Sequence, residues 1–180
     1  MRYIGLFLLV CFFAACKKHD MNTVKVNGQY EIQVPQFTKE VAHLSPVASL
    51  QYANSDNDFC LMVIDDSKED FQQILYSANL QDEFPNTIDG ITAYLQVAQE
   101  AVVGKNGKIQ YSETTSLEIN GQNARQYTIE ATIDGEDLHY LYTIVDGDTH
   151  YYQILSWTYG TKKDDYQDMF IKISQSFKEL

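Results

Sequence analysis

The 180-residue sequence has little cysteine, little basic charge and no long apolar run past its start, and each shortage closes off a class of protein. Of three cysteines, Cys11 and Cys16 belong to an apolar N-terminal stretch, and Cys60 stands alone in the body of the chain. A disulfide-stapled fold therefore has no internal pairing if Cys16 is modified. Thirteen Lys and Arg against 25 Asp and Glu give a formal charge of −12, so the basic footprint that nucleic acid requires is missing. No Gly-x-Ser-x-Gly elbow, His-Glu-x-x-His pair or Gly-rich phosphate loop occurs, so the sequence points to no catalytic residue, metal or other cofactor. What is present is 44% hydrophobic and 13% aromatic content, enough for one sizeable core in a single domain.

The start of the chain has the parts of a secretory signal: Arg2, an apolar run from Ile4 to Phe13, then Phe13-Ala14-Ala15-Cys16. A spanning helix needs about 18 or more apolar residues, so this segment is too short to remain as one. The Ala-Ala-Cys end resembles a bacterial lipobox, with Phe13 where Leu is usual. That resemblance implies a signal peptide over 1–15 and a diacylglycerated Cys16 as first mature residue. An ordinary cleaved signal that happens to contain a cysteine is the alternative. Two or more acyl chains, at ~0.8 kcal/mol per buried CH₂, anchor stably where one does not. The expected location is the bacterial cell envelope, membrane-anchored, with the outer membrane favoured. Residues 16–28 carry Lys17, Lys18, His19 and Asp20 with no apolar period and read as a flexible tether, leaving 29–180 as one domain.

Within the domain, Tyr30, Ile32 and Val34 alternate up to Pro35, which suits a strand. Val47 to Ala53 and Asp58 to Ile64 form a second pair around residues 54–57. That turn superficially resembles the start of a calcium loop, but Phe59 stands where the sharp bend needs Gly, so a solvated hairpin turn is expected. Ser67 to Asp70 has capping-box spacing, and Phe71, Ile74, Leu75 and Ala78 recur at helical intervals. After Pro85, Ile88, Ile91, Leu95, Ala98 and Val102 mark a second helix over about 87–103, closed by Gly104 and Gly107.

From Lys108 onward the pattern is an antiparallel four-stranded meander. Asn120-Gly121, Asp134-Gly135 and Asp146-Gly147 tolerate the positive φ of tight hairpins and separate runs rich in Tyr, Ile, Thr and Val. Two-residue turns at the last two sites set Ile129 opposite Tyr140, Tyr127 opposite Tyr142, Tyr142 opposite Tyr151 and Leu138 opposite Leu155. One face then holds Tyr127, Ile129, Ala131, Ile133, Leu138, Tyr140, Tyr142, Ile144, Tyr151, Leu155 and Trp157. An extra residue at Asn120-Gly121 is expected, to bring Tyr111, Leu117 and Ile119 to that same face. The other face carries Leu141, Tyr152 and Ile154 and needs partial cover. A closing helix with Tyr166, Met169, Phe170, Ile173 and Phe177 on one stripe, started by Thr161 to Asp164, supplies it. Three helices about a mainly antiparallel sheet argue an α+β fold layered α/β/α.

The order of these parts resembles the PsbP-like superfamily, which includes DcrB-type bacterial lipoproteins. The features that carry the resemblance are the Tyr30-to-Pro35 opening, Asn120-Gly121 with Ala124-Arg125-Gln126-Tyr127, the run Tyr151-Tyr152-Gln153-Ile154, and the closing helix ending at Ser176-Phe177. It implies a domain that works by binding and not by catalysis. Relatives in such a fold bind unrelated partners, so it names none.

The remaining candidates have simpler readings. His139 and His150 share a face but lie four residues apart in register, about 13 Å, too far to share a metal ion. Asp65-Asp66 and Asp164-Asp165 sit at helix starts, where negative charge complements the helix dipole. Cys60, in the apolar run from Phe59 to Ile64, reads as a small buried hydrophobe. The aromatic side chains Tyr140, Tyr152, Trp157 and Tyr159 are candidate ligand contacts for a sugar or peptide groove. Cross-strand packing is the simpler role for them. The expected function is a non-catalytic binding or assembly module of the envelope with an unknown protein partner. A small-ligand or glycan binder is the alternative.

Overall fold

The computed structural model describes residues 20–77, 90–102 and 108–180. The leader, Cys16, and the expected ends of the second helix at Thr87, Ile88 and Val103 lie outside the described residues, as does Ala78.

The chain runs β1 (Met21–Val26), β2 (Tyr30–Pro35), β3 (Lys39–Glu40), β4 (Leu50–Asn54), β5 (Phe59–Ser67), α1 (Lys68–Ser77) and α2 (Gly90–Val102). It continues through β6 (Lys108–Tyr111), β7 (Thr115–Ile119), β8 (Gln122–Ile133), β9 (Glu136–Asp146) and β10 (His150–Tyr159). A 3-10 turn at Gly160–Lys162 leads into α3 (Lys163–Gln175) and a terminal β11 (Lys178–Glu179). Among the described residues, one sheet has the strand order β3-β4-β5-β10-β9-β8-β6, with β7 also pairing with β8, and a small sheet has the order β1-β2-β11. Every pairing is antiparallel. The fold is α+β, with helices on both sides of the large sheet.

The strand β1 corrects the expected tether. Residues 21–26 pair with β2 from Met21 opposite Pro35 to Val26 opposite Tyr30, around a turn in which Asn27 and Gly28 both take positive φ (51° and 71°). The polar pattern of these residues misled because the strand lies at a sheet edge, where only Val26 is buried and the other side chains can be polar.

Two turns in the meander are the tight hairpins expected: Asn120-Gly121 (φ 49° and 91°) and Asp134-Gly135 (φ 52° and 87°). The pairs Ile129–Tyr140 and Tyr127–Tyr142 are in register. The third turn is not as expected. Tyr142 faces Leu155, and Tyr151 faces Asp146, so residues 147–150 form a four-residue connection. The carboxylate of Glu179 explains this: it accepts the Asp148 N–H at 2.8 Å and the Tyr152 hydroxyl at 2.9 Å, holding the loop open. A β-carbon on Gly147 would meet that carboxylate at 2.6 Å, so the glycine is needed for close approach and not for a positive φ. Because the slip is an even number of residues, no side chain changes face.

The extra residue expected at Asn120-Gly121 lies elsewhere. The turn is a strict two-residue hairpin with Ile119 opposite Gln122, while β6 pairs with Tyr111 opposite Ile129, so the register shifts by one between the two strands. At the shift, the Ser112 N–H donates to the Thr128 carbonyl at 3.0 Å, and the Ser112 hydroxyl accepts the Thr128 N–H at 2.9 Å. A side chain thus replaces the carbonyl that would have continued the ladder. Tyr111 packs on one face of the sheet, as expected, but Leu117 and Ile119 pack on the other.

The two faces carry separate cores. Tyr127, Ile129, Tyr142, Ile144, Tyr151 and Leu155 pack under α1 and α2 through Phe71, Leu75, Ile91, Tyr94, Leu95 and Ala98. Ile74 of α1 faces outward at 55% exposure, off the stripe expected for it, while Ile133 stays on the expected face but is left 42% exposed at the sheet's end. On the opposite side Phe59, Leu61, Val63, Leu141, Val145, Tyr152 and Ile154 meet α3 and the β1–β2 hairpin. In α3 the stripe Tyr166, Met169, Phe170 and Ile173 is buried, and Phe177 follows just past the helix. No side chain caps its start; the preceding 3-10 turn takes the place of the capping box expected at Thr161. Phe170 packs on Phe59 with ring centroids 5.5 Å apart and is fully buried. Phe170→Ala should lower the unfolding free energy by about 3–5 kcal/mol in urea denaturation, the range for a truncated core aromatic. A loss under about 1 kcal/mol would mean that α3 is peripheral.

Candidate functional site

The helices do not cover the whole of their face. Across one row of that sheet, Lys39 pairs with Ala53, Ala53 with Cys60, Cys60 with Trp157 and Trp157 with Tyr140. Directly paired residues point to one side, so β3, β4, β5, β10 and β9 together build a floor. Above it lies a groove of about 600 Å³, floored by Ala53, Cys60, Trp157 and Leu138 and bordered by Lys39, His43 and Tyr159.

Its walls are set by local chemistry. On one side, the buried amide of Gln51 accepts the N–H groups of Leu44 at 2.8 Å and Ser45 at 3.0 Å and donates to the Ser45 carbonyl at 2.8 Å. This pins the irregular stretch 41–49 against β4 and fixes His43 and Leu44 at the groove's rim. On the other side, the turn after β4 is closed by the Asn54 carboxamide, which accepts the Asn57 N–H at 3.0 Å and donates to the Phe37 carbonyl at 2.5 Å. Asp58, at φ 53°, ends that turn, and its carboxylate accepts the Lys162 ammonium at 2.6 Å. Lys39 makes no ion pair among the described residues, and Asp56 is exposed.

Of the four aromatic candidates, the structure brings three together. Trp157 stacks on Tyr140 with ring centroids 5.7 Å apart, both half-buried, and Tyr159 stands 38% exposed beside them. Tyr152 does not belong with them. It projects from the opposite face, 1% exposed, among Tyr30 and Phe177, with its hydroxyl on Glu179. The strand alternation alone separates 152 from 157, because even and odd positions of β10 point to opposite sides. Leu138 is expected on this face as a packing residue and not as part of a site, and Lys39 and His43 are absent from the sequence candidates. β3 is two residues long and His43 sits in an irregular stretch, so neither carries a periodic signal.

Cys60 is half-buried on the groove floor and not part of the inner core. Burial, and then the neighbouring Asp58, push its thiol up to about 11 from 9.0, which suppresses the nucleophilic thiolate at neutral pH. His139 and His150 are further apart than expected: His139 pairs with Thr158, eight positions along β10 from His150. His139 is buried, with Nδ1 2.9 Å from Glu130 and Nε2 2.9 Å from Gln167 of α3, and so ties the sheet to the helix. Among the described residues no group of three or more His, Cys, Asp or Glu is placed to hold a metal ion.

A second polar cluster lies under the helices. The Gln153 carboxamide donates to Asp66 at 2.9 Å and accepts the Tyr142 hydroxyl, and the Tyr94 hydroxyl donates to Asp66. Lys68 pairs with Asp146 at 2.7 Å and lies 5.1 Å over the ring of Tyr151. These part-buried groups partner one another beneath the helices and fasten α1 and α2 to the sheet, a structural role.

No protein-family model matches the sequence, and no curated protein does. Solved structures do match. The cyanobacterial PsbP (CyanoP) of Synechocystis sp. PCC 6803 is similar with a TM-score of 0.62 at 12% identity, over 92% of this chain and 96% of that one. LpqN of Mycobacterium tuberculosis, involved in cell envelope biogenesis, is similar with a TM-score of 0.58 at 13% identity, over 90% and 91%. The Ran-binding protein Mog1p of Saccharomyces cerevisiae is similar with a TM-score of 0.50 at 8% identity, over 89% and 95%. At these identities the likeness is one of fold, and the fold is PsbP-like. No helix among the described residues is long and apolar enough to cross a membrane.

The tyrosines yield a pH prediction. Burial, the largest cause, pushes the hydroxyls of Tyr30, Tyr94, Tyr142 and Tyr152 above their ordinary value of 10.0; the Asp66 and Glu179 carboxylates add to this for Tyr94 and Tyr152. The folded state therefore holds these protons more tightly than the unfolded chain does. Their stabilising contribution is complete below pH 10 and is lost as pH rises beyond it, with a limiting slope of about 1.4 kcal/mol per pH unit for each tyrosine. The urea midpoint should fall steeply above pH 10, with tyrosinate absorbance at these positions appearing together with unfolding. Titration of all tyrosines near pH 10 in a protein that keeps its circular dichroism would contradict this burial.

Proposed function

We propose that this chain is a lipoprotein of the cell envelope, held on the outer membrane by acyl chains at Cys16, whose domain works without catalysis as a binding or assembly module. The observation that supports it most is a spacing: Met21, the first residue of β1, follows Cys16 by only five positions. A fully extended chain spans at most about 3.6 Å per residue, so these positions reach about 18 Å. An acylated Cys16 would thus hold the domain at the bilayer surface, with no long tether to swing on.

The carbonyl of Asp20 accepts the Gln36 N–H at 2.9 Å, and Phe37 next to it joins the turn that walls the groove. Asp20 is thus linked through Gln36 and Phe37 to Asn54 at the groove's wall, although the β1–β2 hairpin itself packs on the other face of the sheet. The fold shared with LpqN, a protein of cell envelope biogenesis, favours the same compartment. A small-ligand or glycan reading of the groove has Trp157 and Tyr159 in its favour.

Cys16→Ala tests the anchor. With cleavage of the leader verified on the same sample, the variant should leave the detergent phase for the aqueous phase. A cleaved variant that still partitions into detergent would mean that lipid on Cys16 is not what holds the protein.

A further inference from the structure

We infer that the groove beside Trp157 is a carbohydrate site, built for a neutral oligosaccharide. This concerns the groove alone and does not depend on whether Cys16 carries lipid. At about 600 Å³ the groove lies inside the roughly 300–1,000 Å³ span of small-molecule sites. Its surface has two kinds of chemistry side by side. Trp157 and Tyr159 offer partly exposed aromatic surface, and Leu138 extends it. Lys39, His43 and Asp56 at the border offer hydrogen-bond donors and an acceptor. A sugar ring has the matching pair of surfaces, an apolar C–H face that lies on an aromatic ring and an edge of hydroxyls that both donate and accept.

Charge and edge geometry argue against the other occupants. Among the described residues an anion such as a phosphate would meet one ammonium without an ion pair, Lys39, because Lys162 is engaged by Asp58 at 2.6 Å, and it would also meet Asp56 on a chain of net charge −12. A peptide adding to the sheet needs a strand edge of useful length, and the edge here, β3, is two residues long. A purely apolar chain would make no use of the polar border, where Lys39, His43 and Asp56 are exposed.

Trp157 is the one tryptophan of the sequence, so the site carries its own reporter. The experiment titrates the full chain, in a detergent without a sugar headgroup, with maltotriose, chitotriose, mannotriose and xylotriose, and separately with inorganic phosphate and phosphatidylglycerol vesicles. Trp157 fluorescence and titration calorimetry are both read. The expected result is a saturable response to at least one neutral oligosaccharide, weakened at least tenfold by Tyr159→Ala and by Lys39→Ala. Both residues are exposed, so these variants should keep the wild-type melting temperature. Tyr152→Phe, on the opposite face, should bind as wild type. No saturable response to any of the four saccharides would overturn the inference. So would saccharide binding unaffected by Tyr159→Ala, or binding only to phosphate or to vesicles.

Discussion

The two central strands of this domain, β9 and β10, are apolar on both faces, and the rest of the structure follows from covering them. In β10, Tyr151, Leu155 and Trp157 point to one side while Tyr152 and Ile154 point to the other, and β9 does the same with Tyr142 and Ile144 against Leu141 and Val145. Such a sheet cannot leave either face in water. One face is closed by α1 and α2, elements local to the middle of the chain. The other is closed by α3 and by the β1–β2 hairpin, which come from opposite ends of it. The terminal β11 binds those ends together: it pairs with β2, and Glu179 reaches the loop between β9 and β10.

What the sequence disclosed was whatever depends on neighbours in the chain. Asn120-Gly121 and Asp134-Gly135 specify their turns because the positive φ they need is a property of those residues alone. The stripe from Tyr166 to Phe177 and the stripe through Ile91, Leu95 and Ala98 announce their buried sides by helical period. Asp146-Gly147 failed as a tight turn because its geometry is decided by Glu179, more than thirty residues on. The face switch between Tyr111 and Leu117 was equally hidden, since it depends on the Ser112 hydroxyl standing in for a carbonyl.

The candidate site shows the same division. Trp157 and Tyr159 were legible as aromatic residues on a strand, but the surface they belong to was not. Lys39 and His43 reach it through a two-residue strand and an irregular stretch held by Gln51, features with no period to read. Tyr152 was grouped with them by residue type, and strand alternation sends it to the interior instead. The groove is the part of a two-faced sheet where the cover runs out, and that boundary is set by where α1 and α2 lie and not by the strands themselves.

The middles of β9 and β10, sealed on both sides, carry the stability of the domain. Native-state hydrogen exchange tests this directly. The amides of residues 141–145 and 152–156 should exchange only through global unfolding, with protection equal to the full unfolding free energy, while β1, β3 and β6 at the sheet edges exchange through smaller openings. If the central amides exchanged as readily as those of the edge strands, the two-sided core would be wrong.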